Sequence, residues 1–308
     1  MKRPIRNCVG IVIFAVAIAA AFFTQRVRIG DLMAEVSAPD LPEAVGYVEV
    51  KGIEAIEDVG GTKEVSPVVD EIVPPSGGIP PEAVTAPPPT PRDDDAQPTV
   101  EPPKQTDNLP ELPAPSPEPP ATFNLAVPFT SQAPFAVWDE MHGEACEEAS
   151  IYMIAEFYKG TVGKIDPTVA DAELYRLVAI ENETFGYFED TTAAETARLA
   201  KIAYGFSRVD LIENPTADQI KALIASGHPV IVPAAGRQLN NPNFTGDGPP
   251  YHMIVLRGYT ETQFISNDPG TRRGEEYVYS VETIMTAMHD WNGGDVENGK
   301  KVVLVMYP

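Results

Sequence analysis

Apolar positions fall into three regimes along the chain. From Cys8 to Phe23 they run without a break for sixteen residues, with Lys2, Arg3 and Arg6 before them and Arg26 and Arg28 after. A helix of that length rises about 24 Å, a little short of a hydrocarbon core of about 30 Å. Thr24 and snorkelling arginines make up the difference. From Gly61 to Pro120 the pattern vanishes, and 18 of 60 residues are proline. Proline removes backbone donors and nothing here is spaced for burial, which predicts an extended, disordered tether. After Thr122 helical and alternating patterns return and continue to Pro308.

In that last region the spacing predicts a helix from Cys146 to Lys159, closed by Gly160 and burying one face through Ile151, Ile154, Ala155 and Tyr158. Further helices are expected at 168–181, 190–204, 216–226 and 281–290, the third of these opening on Thr216 and Gln219 as a capping box. Strand-like runs cover 229–234, 251–258, 261–267, 276–280 and 301–307. Helices come mostly first and strands mostly later, which predicts an α+β fold with an antiparallel sheet.

The chain thus divides into a basic tail (1–7), a transmembrane signal-anchor or signal peptide (8–24), a juxtamembrane segment without a capped element (25–60), the proline-rich linker (61–122) and one domain (123–308). Either reading of the apolar run sends that domain out of the cytoplasm, membrane-anchored in one case and secreted after cleavage in the other. Net charge is −23, and no acidic residue precedes Asp31. So acidic a body repels phosphate backbones and excludes nucleic acid as a partner. The two cysteines, Cys8 and Cys146, lie in different parts of the chain and predict no disulfide framework.

Candidate chemistry centres on Cys146. A thiol in the first turn of a helix feels the positive end of the helix dipole, which favours thiolate. Glu147 and Glu148 oppose this, so a partnered imidazolium is required. His252 heads the apolar run His252–Leu256, and Asp268 ends the next strand before Pro269-Gly270. A tight turn near Tyr259-Thr260 would bring the start of one strand beside the end of the other, placing Asp268 to orient the imidazole, with Asn267 as the alternative. Gln132, upstream, is a candidate oxyanion donor together with the Cys146 backbone N–H. Of the other histidines, His142 could line the cleft, His228 enters a strand from a turn, and His289 ends a helix. One cysteine with scattered histidines excludes a zinc site, and no cofactor is implied.

Gln132, Cys146, His252 and Asp268, in that order and setting, resemble the peptidase C39-like family, a papain-like group. The start Val127-Pro128-Phe129-Thr130-Ser131-Gln132 and the interval from His252 to Asp268 are similar to that family's pattern. The Gln132–Cys146 interval is lengthened by a segment holding Pro134, Trp138 and His142, and Glu147 stands where glycine is often found. The resemblance implies a papain-like fold over 123–308, thiol peptidase chemistry on a peptide or protein substrate, and no metal. Two other outcomes remain open: a catalytically inactive module that binds peptide or cell-wall material, and a peptidoglycan amide hydrolase or acyl transferase.

Overall fold

The alternation seen after Thr122 resolves into a sheet of seven strands in the computed structural model, which describes residues 41–51 and 119–308. In chain order the elements are β1 (Phe123–Asn124), α1 (Glu140–Glu144), α2 (Cys146–Tyr158), α3 (Pro167–Thr184) and α4 (Ala193–Tyr204). There follow β2 (Arg208–Glu213), α5 (Ala217–Ala225), β3 (Val230–Ala235), β4 (Tyr251–Tyr259) and β5 (Gln263–Asn267). The chain ends with β6 (Tyr277–Ser280), α6 (Val281–Ala287) and β7 (Val302–Tyr307). Strand order is β2-β7-β3-β4-β5-β6, β1 pairs with the end of β4, and every pairing between these strands is antiparallel. The fold is α+β, as expected. The apolar run at 8–24 and almost all of the proline-rich stretch lie outside the described residues. Among the described residues no helix is long and apolar enough to cross a membrane.

Capping explains where several helices begin. Thr216 and Gln219 form the expected reciprocal box, and Thr192 with Glu195 forms another, which starts α4 three residues after the predicted boundary. The helix predicted to 290 ends at Ala287, because Met288 leaves helical geometry and bridges to Ala234 of β3. His289 therefore does not cap a helix; its Nδ1 donates to the Gly299 carbonyl at 2.8 Å. Strand β2 has no counterpart in the sequence reading. It is an edge strand of alternating intermediate exposure, with charges at three of six positions.

Helix α2 differs from expectation in kind. Its spacing predicts one buried face, yet eleven of its thirteen residues are buried, Glu147 and Glu148 included. It packs on the central strand β4, with α3 and α4 also against it. A helix enclosed on all sides is held rigidly, so its first residue has a fixed position.

Residues 41–51, for which the sequence gives no capped element, are fastened to the same body. Val45 forms a parallel bridge with Leu125, its N–H donating to the Asn124 carbonyl and its own carbonyl accepting from Ala126. A helical turn at 47–51 then sets the Tyr47 ring on Phe157 and Tyr158, with centroids 5.5 and 4.9 Å apart, and buries Val50. Gly227 makes room for Val50: a Cβ there, at φ 84°, would lie 2.4 Å from a Val50 methyl.

Candidate active site

Antiparallel pairing of β4 with β5 determines which residues meet at the mouth of the sheet. Val255 pairs with Asn267, and a turn closed by Thr260 N–H to the Gln263 carbonyl joins the strands. His252, near the start of β4, is thereby brought to Asp268, one residue past the end of β5. His252 Nε2 lies 2.8 Å from Asp268 Oδ1, and both residues are buried. A carboxylate can only accept, so Nε2 carries the proton and Nδ1 is the basic nitrogen of the neutral ring.

Asp268 is held from four directions. Oδ1 also accepts from the Gly270 N–H at 2.9 Å, while Oδ2 accepts from the Tyr279 hydroxyl at 2.6 Å and Asn241 Nδ2 at 2.9 Å. Burial works to raise its pKa, but the His252 charge and hydrogen bond, Tyr279 and Gly270 bring it below the usual aspartate value. Asn267 has a different task. Its Nδ2 donates to the carbonyls of Val127 and Pro128 at 3.0 and 3.1 Å, tying down the segment that leads to Gln132. The ring of His252 is further boxed by Phe244, edge to face at 5.4 Å, and by Gly270, where a Cβ would fall 2.8 Å from Nε2.

Cys146 opens α2 and is 6% exposed. Its hydrogen bond runs to Glu147 Oε2 at 3.0 Å and not to His252. Burial pushes the thiol pKa well up, Glu147 adds to this through its charge and hydrogen bond, and a backbone hydrogen bond from Met253 acts the other way. The helix-dipole effect expected from position is therefore outweighed in the arrangement seen.

Gln132 is brought to the same place but not in the expected role. Its Nε2 donates to the carbonyls of His142 and Gly143 at 3.0 and 2.9 Å, so both amide hydrogens are engaged and neither is free for an oxyanion. The backbone of Gln132 in turn donates to the Pro269 carbonyl at 3.0 Å, joining this segment to the Asp268 turn. His142 is not among the residues that line the cleft; its two ring nitrogens meet Asp139 at 2.7 Å and Asp171 at 3.0 Å. His228 is structural, with Nδ1 at 3.1 Å from the Tyr158 hydroxyl.

Cys146, His252, Gln132, Glu147 and Trp138 all line one cleft of about 800 Å³, large enough for several residues of an extended peptide. The model of the peptidase C39-like family matches residues 124–293, more than half of the chain, a span within which Gln132, Cys146, His252 and Asp268 all fall. The chain belongs to the peptidase C39-like family. Residues 124–293 are a cysteine-peptidase-like module, within a body of α+β fold. Among solved structures, a C39-like protein from Bacillus anthracis, whose assignment as a peptidase is itself provisional, is similar at 18% identity and a TM-score of 0.41, over 61% of this chain and 98% of that one. No curated protein matches the chain.

Three features of this C39-like site were not legible in the sequence. Tyr279 and Asn241 reach Asp268 from a strand and a loop whose spacing carries no signal for it. Glu147 is visible as an acidic neighbour of Cys146, but its contact with the thiol depends on burial. Among the described residues no cluster of side chains is arranged to hold a metal ion.

Proposed function

We propose that the chain is a membrane-tethered thiol peptidase acting outside the cytoplasm. The observation that carries this reading is the buried His252–Asp268 pair opening on the same cleft as a cysteine at a helix N-terminus. In the reaction, His252 Nδ1 takes the Cys146 proton and the thiolate attacks the peptide carbonyl. Asp268 holds the imidazole in the required tautomer and stabilises the imidazolium. The first backbone N–H groups of α2, which have no partner within the helix, receive the developing oxyanion. The imidazolium then returns the proton to the leaving amine, and water releases the acyl group from sulfur. Gln132 acts as a clamp on the 142–143 backbone. Tethering rests on the apolar run at 8–24 with its flanking cations.

The test is turnover of unstructured peptides by the full chain and by Cys146→Ala. Loss of turnover with an unchanged circular dichroism spectrum is expected; retained turnover would overturn the reading. One observation favours a second reading, a silent peptide-binding module: the thiol is buried and bonded to Glu147. Under that reading iodoacetamide modifies Cys146 slowly at neutral pH, and His252→Ala makes no difference.

A further inference from the structure

Beside the nucleophile lies a group of buried carboxyls that the reaction above does not use. Glu147 is 1% exposed, and Glu148 and, on α3, Glu181 are fully buried. Among the described residues Glu147 Oε1 and all four oxygens of Glu148 and Glu181 lack a bonded donor. The groups facing Glu147 are Cys146 and Glu148 on its own helix, Glu181 on α3, Asp190 in the loop before α4, and Tyr251 on β4. None of these is a cation; the cations of the cleft are Arg272 and Arg273, in the turn after β5, and His252 once it is protonated.

A buried carboxylate with neither a cation nor a set of donors costs several kcal/mol, and the group takes up a proton instead. Burial first, then the charge of Glu148, moves Glu147 well above the ordinary glutamate range. Glu148 and Glu181 face one another and are satisfied once they share a proton, with Glu181 raised to about 7. The contact of 3.0 Å between Cys146 Sγ and Glu147 Oε2 therefore suits a proton on either atom.

We infer that Glu147 is a catalytic residue acting as a neutral carboxylic acid, whose hydroxyl donates a hydrogen bond to the Cys146 thiolate. The thiol proton passes to His252 Nδ1, giving thiolate and imidazolium, while Glu147 keeps its own proton and bonds to the anionic sulfur. When the sulfur–carbon bond forms the charge leaves sulfur and this hydrogen bond weakens; no proton is gained or lost at Glu147. The acidic pair after Cys146 then ceases to oppose the nucleophile. It does so only while Glu147 is protonated, because its carboxylate would place a like charge about 3 Å from the sulfur.

This inference rests on the peptidase reading, and its test is separable from it. Iodoacetamide modification of the full chain is followed against pH, reading the Cys146 peptide apart from the Cys8 peptide by mass. In the native chain Cys146 should react fast near pH 6–7 and slow down as Glu147 loses its proton at higher pH. Glu147→Gln, whose amide donates without titrating, should keep the fast reaction and abolish the slowing. Glu147→Leu should lower the rate at pH 7 by about ten- to a hundredfold, the loss of a hydrogen bond to a charged group. A Gln variant that still slows at high pH, or a Leu variant as fast as the native chain, overturns the inference. If in either case His252→Ala still suppresses the reaction, the peptidase reading stands; if His252→Ala has no effect, that reading falls.

Discussion

At the scale of single residues, the site depends on how tightly the imidazole is confined. Gly270 leaves no room for a methyl group, since a Cβ would sit 2.8 Å from two ring atoms of His252 and 3.0 Å from Phe244. Gly270→Ala is expected to displace the ring and lower kcat/KM by about a hundredfold while the domain stays folded, measured by peptide turnover alongside thermal unfolding. Asp268→Asn keeps an acceptor for His252 Nε2 but loses the charge that stabilises the imidazolium, and sets an amide N–H against Asn241. It should cost at least about tenfold in kcat/KM, though less than His252→Ala. The His252–Asp268 pair was legible because hairpin pairing is local and sixteen residues with one tight turn fix it. The choice between Asp268 and Asn267 was not, since it depends on which of two adjacent side chains turns toward His252.

At the scale of elements, the lengthened segment between Gln132 and α2 forms part of the cleft wall through Trp138, which is 49% exposed. A large ring left half in water beside a nucleophile suits contact with a substrate side chain. Trp138→Ala is expected to raise KM several-fold with kcat nearly unchanged, and to shift Tm by no more than about a degree. Most helices were legible because caps and glycines mark their ends, whereas α1, only five residues long, carries no periodic pattern and was missed. Periodicity failed for α2 because two glutamates sit among its buried positions, and a pattern rule assigns those to solvent. It failed for β2 because an edge strand keeps charges at exposed positions.

For the whole molecule, the buried carboxyls give stability an unusual dependence on pH. Glu148 and Glu181 hold protons in the folded state above the unfolded value near 4.5, Glu181 up to about 7. The folded state thus binds more protons in that window, and stability falls as pH rises through it. Asp268 acts in the opposite sense. Its stabilisation is present above the unfolded value near 3.8 and lost as pH falls through its lower folded value. Thermal unfolding followed from pH 3 to 9 should therefore peak on the acidic side of neutrality, and Glu148→Gln should flatten the decline toward high pH. A chain lacking 41–51 should unfold at least about 5 °C lower, because Val45, Tyr47 and Val50 lose their buried contacts.

That fastening also changes the geometry of any attachment to a bilayer. If no point before Phe123 were fixed to the domain, residues 25–122 would form a leash of about a hundred residues, with a reach of roughly 350 Å. With the chain already moored at 41–51, an 8–24 helix embedded as proposed would be separated from the folded body by only the sixteen residues 25–40, a reach of about 60 Å. The proline-rich stretch starts and returns on the same body and contributes nothing to that distance. Lengthening it should leave the working height of the cleft above the membrane unchanged, whereas lengthening 25–40 should raise it.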